Sequence, residues 1–210
     1  MGLILLTSKE KFLIENDLSF LPKPIDEMKI ALINTASKMS ADTAYLDWLE
    51  WYKGIMTERN WDFEEIDIDG KTEAELRKIL SNKDLIHIEG GNAFYLLKCV
   101  RESGFDKIIK DLLDRGVVYV GSSAGSYLMC PTVEVAAWKE SRDKFGVTDF
   151  TALNMVPFLI KAHYKLGQDD ILREKISTAS CPVRILTDDQ AFLVKDGKAE
   201  LIGEGEEIKL

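Results

Sequence analysis

The chain has 210 residues, 46% of them hydrophobic and 30% charged, with a formal net charge of −9. This length and composition suit a soluble globular protein with a sizeable core, and one domain spanning residues 1–210 is the simplest division. The acidic balance without a basic stripe excludes nucleic acid as the main partner, and no apolar run is long enough to span a bilayer.

Leu3 to Leu6 is a continuous apolar run, the pattern of a strand covered on both faces. Too short for a signal sequence and without a preceding basic segment, it leaves a cytoplasmic protein as the expectation. Lys29 to Asn34 repeats the strand pattern after a loop containing Pro22 and Pro24. Residues 41 to 58 change period. Ala44, Tyr45, Trp48, Leu49, Tyr52, Ile55 and Met56 form one helical stripe opposite Asp47, Glu50 and Lys53. Such a stripe is expected to pack on a sheet, with pocket lining the less common use of its aromatic residues.

Phe63 to Ile68 alternates apolar and acidic residues, as a half-exposed strand does. Thr72-x-x-Glu75 is a capping box for a helix carrying Leu76, Ile79 and Leu80 inward. Leu85 to Ile88 reads as a strand ending in Glu89-Gly90-Gly91-Asn92. Helical patterns follow over 93–102 and 106–114, and Arg115-Gly116 stops the second. The alternation of strand and helix predicts an α/β fold, with a mostly parallel sheet, helices on both faces and a site at the carboxyl ends of the strands.

Val117 to Val120 then runs into Gly121-Ser122-Ser123-Ala124-Gly125. The Gly-x-Ser-x-Gly spacing fits a strand that turns sharply into a helix and leaves Ser123 exposed. The helix start aims N–H groups at the site, suited to a developing oxyanion. Gly90-Gly91 ends a second strand, either as a plain turn or as a loop whose backbone N–H groups face the serine across the strand tips.

Further on, Val133 to Trp138 is expected to be extended or loop. Phe158 to Tyr164 reads as a strand leading into a loop, Asp169 to about Thr178 as a helix with an acidic first turn, and Val183 to Leu186 as a strand. Ala191–Val194 and Ala199–Ile202 flank Asp196-Gly197, a hairpin signal. Cys99, Cys130 and Cys181 form no CxxC pair and read as free, mostly buried thiols of a reducing compartment.

A serine nucleophile needs a base, and the chain has only two histidines. His87 sits among apolar neighbours on a strand and reads as structural. His163, at a strand end, is the candidate base. Asp188 and Asp189 end the strand from Val183, and either could orient the imidazole if that strand lies beside the elbow strand. No HExxH, CxxC, GxGxxG or Walker spacing is present, so neither a metal nor a cofactor is expected.

Together, Glu89-Gly90-Gly91-Asn92-Ala93-Phe94, the segment Gly121 to Ser126, Cys130-Pro131-Thr132, His163 and Leu186-Thr187-Asp188-Asp189 resemble the peptidase E (aspartyl dipeptidase) family, which includes the cyanophycinases. The resemblance covers most of the chain. It implies a fold like the class I glutamine amidotransferases, with serine replacing cysteine at the elbow. It implies Ser123 as nucleophile, His163 as base and Asp188 as the acid, with Asp189 the fallback, and the N–H groups of Gly91 and Ala124 as the oxyanion hole. A cytoplasmic serine dipeptidase acting on short peptides follows, with a homodimer left open. Another serine hydrolase, such as an esterase or an isoaspartyl peptidase of the cyanophycinase type, and a non-catalytic binding relative are the alternatives.

Two departures stand out. Trp138 occupies about the place of an aspartate that peptidase E proteins carry after Cys-Pro-Thr, which favours the acid after the histidine. Where aspartyl dipeptidases have an arginine after the histidine, this chain has Asp169 and Asp170, with Arg173 displaced. Specificity other than strict N-terminal Asp is the expectation.

Overall fold

Short apolar runs bounded by glycine and polar turns form the strands. In the computed structural model, which describes residues 2–40, 42–139 and 143–210, β1 (Ile4–Thr7), β2 (Lys29–Ile33), β3 (Asp62–Ile66), β4 (Leu85–Ile88) and β5 (Val118–Ser122) pair in parallel. Strands β6 (Leu159–Lys161) and β7 (Val183–Ile185) pair in parallel with each other in a separate two-stranded sheet. The hairpin β8 (Gln190–Lys195) and β9 (Lys198–Gly203) joins antiparallel to β1. The seven-stranded sheet has the order β3-β2-β4-β5-β1-β8-β9. At the hairpin turn, Asp196 and Gly197 have φ of 50° and 75°, the left-handed pair that matches strand twist and that Asp-Gly tolerates.

Side chains alternate across the sheet and divide the core in two. Ile4, Leu6, Ile86, Ile88 and Tyr119 face one layer, and Leu5, Leu32, Leu85, Val118 and Val120 the other. The first layer holds α3 (Glu73–Ile79), α4 (Ala93–Ser103), α5 (Phe105–Asp114) and α6 (Ala124–Leu128) through residues such as Leu76, Leu97, Ile109 and Leu128. The second holds α1 (Phe12–Glu15) and α2 (Thr43–Glu58) through Phe12, Tyr52 and Met56. The α/β architecture with helices on both faces is therefore as the strand–helix alternation predicts. The Thr72–Glu75 capping box opens α3. No helix among the described residues is long and apolar enough to cross a membrane.

Three expectations are corrected. Glu134–Trp138, expected to be extended or loop, is a short 3-10 helix that turns Val135 and Ala136 into the core while Glu134 accepts from Ser180 N–H at 2.8 Å. The α2 stripe is core only where it overlies the sheet, at Leu49, Tyr52 and Met56. Ala44 is exposed, and Tyr45 and Trp48 line a cleft, because the first turns of α2 lie beside the strand tips at Glu10 and Gly90. Finally, β7 does not lie beside the elbow strand but pairs with β6. The helix after Gln168, α7 (Asp169–Ser177), is as expected and buries Leu172.

Candidate active site

Three neighbouring strand tips build the site. β5 lies between β4 and β1, with Gly121 opposite both Ile88 and Leu6, and Ser122 opposite Thr7. Ser8, Gly90 and Ser123 thus emerge side by side, at the carboxyl edge where α/β folds place ligands.

At the tip of β5 the chain turns within one residue. Ser123 has φ 48° and ψ −102°, a region that L residues rarely adopt and that costs about 1–3 kcal/mol. The turn lifts its hydroxyl to the head of α6. A Cβ on Gly121 would stand 2.5 Å from the Gly125 carbonyl carbon, and one on Gly125 would stand 2.3 Å from Ile88 O. Backbone crowding therefore demands both glycines of the pattern. The buried Ser126 Oγ sits 2.8 Å from Thr7 O and 2.7 Å from Gly121 O, pinning helix to strands.

His87 is fully buried beneath this turn, with Nε2 3.0 Å from Ser122 Oγ. Burial pushes its pKa down to about 3, so it stays neutral and serves the core, as its apolar neighbours predict.

His163 and Asp188 arrive together because β6 and β7 are parallel. Leu186 N–H donates to Lys161 O at 2.9 Å and Tyr164 N–H to Leu186 O at 3.0 Å, which carries the pairing past the strand ends. Both residues therefore leave the same end of the small sheet. His163 Nε2 lies 2.9 Å from Ser123 Oγ, and Nδ1 lies 2.7 Å from Asp188 Oδ1. Asp189 points elsewhere and pairs with Lys11. Burial would raise the pKa of Asp188, but hydrogen bonds from His163 and Ser8 outweigh it and hold the carboxyl well below the usual range.

The Gly90-Gly91 loop is held from below. Glu10, almost fully buried, accepts from Gly90 N–H at 2.9 Å and from Tyr45 OH at 2.8 Å with the same oxygen. Gly91 adopts φ 135°, and a Cβ there would lie 2.2 Å from Ala36 O, so only glycine fits. Ala124 is the first residue of α6, so its N–H has no acceptor within that helix. Next to the loop, burial and the nearby Glu10 push the Glu89 pKa up to about 8.

These tips open on a cleft of about 730 Å³ lined by Lys9, Tyr45, Trp48, Gly91, Ser123 and His163 among others. Its carboxylates are engaged by the protein: Glu10 as above, Asp42 by Tyr45 N–H, Asp143 by Phe145 N–H and Asp188 by His163. The Lys9 ammonium lies 4.4 Å above the Trp48 ring, and its charge also favours the ionised Asp188 carboxyl.

The sequence-predicted Ser123, His163 and Asp188 are thus brought into one hydrogen-bonded chain, with Gly91 on the same cleft. Asp169 and Asp170 are not on the cleft wall. Asp169 accepts from Tyr164 OH at 2.6 Å, and exposed Asp170 lies 3.7 Å from Arg173. The two aspartates that stand in sequence where aspartyl dipeptidases have an arginine therefore do not line the cleft, and exposed Arg173 does not either. Trp138 packs against the core. Ser8, Lys9 and Glu10 carry no signal in sequence, because their partners lie up to 180 residues away.

A model of peptidase family S51 matches residues 4–202. An uncharacterized peptidase of Pasteurella multocida is 28% identical over 176 residues, 82% of this chain and 84% of that protein. Peptidase E of Escherichia coli is 39% identical over 85 residues, 40% of this chain and 36% of that protein. The crystal structure of a peptidase E candidate from Listeria monocytogenes superposes with a TM-score of 0.82, covering 98% of this chain and 100% of that one at 24% identity, and shares the fold. The chain therefore belongs to peptidase family S51 and is a peptidase of the peptidase E kind.

Proposed function

We propose that this peptidase hydrolyses short peptides by covalent catalysis at Ser123. The observation that carries the reading is the hydrogen-bonded chain from Ser123 Oγ through His163 to Asp188, at 2.9 and 2.7 Å. His163 Nε2 takes the hydroxyl proton as Oγ bonds to the scissile carbonyl carbon. Asp188 keeps its negative charge and stabilises the imidazolium. The N–H groups of Gly91 and Ala124 stabilise the oxyanion. The carbon–nitrogen bond then breaks, the leaving amine takes the proton from Nε2, and an acyl-enzyme remains on Oγ. Water, deprotonated by His163, releases the acyl group as a carboxylic acid and returns the proton to Ser123.

The substrate is a short peptide without a strict demand for N-terminal Asp. The arginine of α7 is paired with Asp170 away from the cleft, and the cations on the cleft wall are Lys9 and Lys139. Lys9, lying over Trp48, is placed to receive a peptide carboxylate. Ser123→Ala should abolish hydrolysis of a dipeptide panel while the circular dichroism and melting curve stay those of the parent. Turnover that persists in that variant removes the assignment.

A further inference from the structure

We infer that Ser8 is the positioning residue of the acid–base pair: it orients the Asp188 carboxylate that keeps the proton of His163 on Nδ1. The inference rests on the Ser123–His163–Asp188 reading above. Ser8 follows β1 directly and is fully buried. Its Oγ meets three groups at once. It donates to Asp188 Oδ1 at 2.6 Å, accepts the His163 backbone N–H at 2.8 Å and lies 3.3 Å from His163 Nδ1.

A hydroxyl has one proton and two lone pairs. An ionised carboxylate only accepts, so the Ser8 proton belongs to Asp188. Toward His163, Ser8 Oγ can then only accept. A bare Nδ1 would face two oxygens, from Ser8 and Asp188, with no proton between them. Nδ1 therefore carries the proton, and Nε2 presents its lone pair to Ser123 Oγ, the form that a general base needs. The same hydroxyl fixes the Asp188 side chain and holds the left-handed backbone of His163 at φ 60°.

The position of Ser8 explains why such a tie is useful. His163 and Asp188 follow the small β6–β7 sheet, whereas Ser123 follows the main one. Ser8 fastens the ends of the small sheet to the tip of β1, whose Thr7 pairs with Ser122. Ser8 is thus the tie made at the reacting groups themselves, alongside the Lys11–Asp189 ion pair and the β8–β1 pairing that follow Asp188 in sequence.

The test begins with the parent enzyme. Nitrogen-15 NMR of its two histidines gives the reference state, neutral His163 protonated at Nδ1 with a low-field Nδ1–H resonance. Ser8→Ala, and Ser8→Cys as a near-isosteric variant with a weak donor, should lower kcat about tenfold or more with KM nearly unchanged. In both, the low-field Nδ1–H resonance should move or vanish while the fold persists. Folded variants with parental kcat, or with a lowered kcat and an unmoved resonance, overturn it. Activity surviving in Ser123→Ala would instead strike the underlying reading, so the two failures are told apart.

Discussion

The Glu10 carboxylate holds the Gly90 N–H at 2.9 Å across 80 residues of sequence. One buried oxygen thereby supports the Gly90-Gly91 loop and also takes the Tyr45 hydroxyl. Glu10→Ala leaves a buried N–H and a buried hydroxyl without that acceptor, which should cost about 2 kcal/mol or more of stability. It should also lower kcat by loosening the loop that carries Gly91. Glu10→Gln keeps an acceptor in place and should retain most of both. Urea denaturation with steady-state kinetics on the two variants checks the pair. Equal effects would mean that the charge of Glu10, not its acceptor, matters.

Two buried groups predict an unusual pH profile of stability. Glu89 rises from 4.5 to about 8 on folding, so its contribution is fully present below pH 4.5 and is lost as pH climbs to about 8. His87 falls from 6.5 to about 3, so its contribution is present above pH 6.5 and is lost as pH drops to about 3. Between pH 4.5 and 6.5 the two slopes oppose each other, each about 1.4 kcal/mol per unit. Stability should be nearly flat in that window and fall on both sides, with Asp188 adding to the acid loss below about pH 4. Glu89→Gln should remove the decline between pH 6.5 and 8. Chemical denaturation across pH reads this directly, and a parental alkaline limb in the variant would contradict it.

Lys9 supplies a test of the cleft. The carboxylates around it are satisfied, while its ammonium meets an aromatic face. Lys9→Met should raise KM for dipeptides about tenfold and leave kcat within about twofold, because the contact serves binding. The matching dipeptide amides should be affected much less. Equal KM changes for acids and amides would place the contact elsewhere.

Much of the frame was legible because buried parallel strands are apolar throughout. Leu3–Leu6, Lys29–Asn34 and Leu85–Ile88 announce themselves, as do the Thr72–Glu75 box and the Asp196-Gly197 turn. The Gly121 and Gly125 spacing was legible for a local reason, since both glycines answer backbone contacts made at the turn itself. What remained hidden depends on distant pairing. Nothing near Val183 says that β7 joins β6 and not β5, yet that pairing delivers His163 and Asp188 together. Tyr45 and Trp48 share a helical period with Tyr52, and only the overhang of α2 past the sheet turns them to the cleft. Ser8 and Glu10 follow an apolar strand and look like the start of any polar loop.

Activation of Ser123 by His163 is read by labelling with a fluorophosphonate. Mass spectrometry should find a single adduct, on Ser123, in the parent protein and none in folded His163→Ala within the same time. An unlabelled parent, an adduct on another residue, or equal labelling of the His163→Ala variant would rule out that activation.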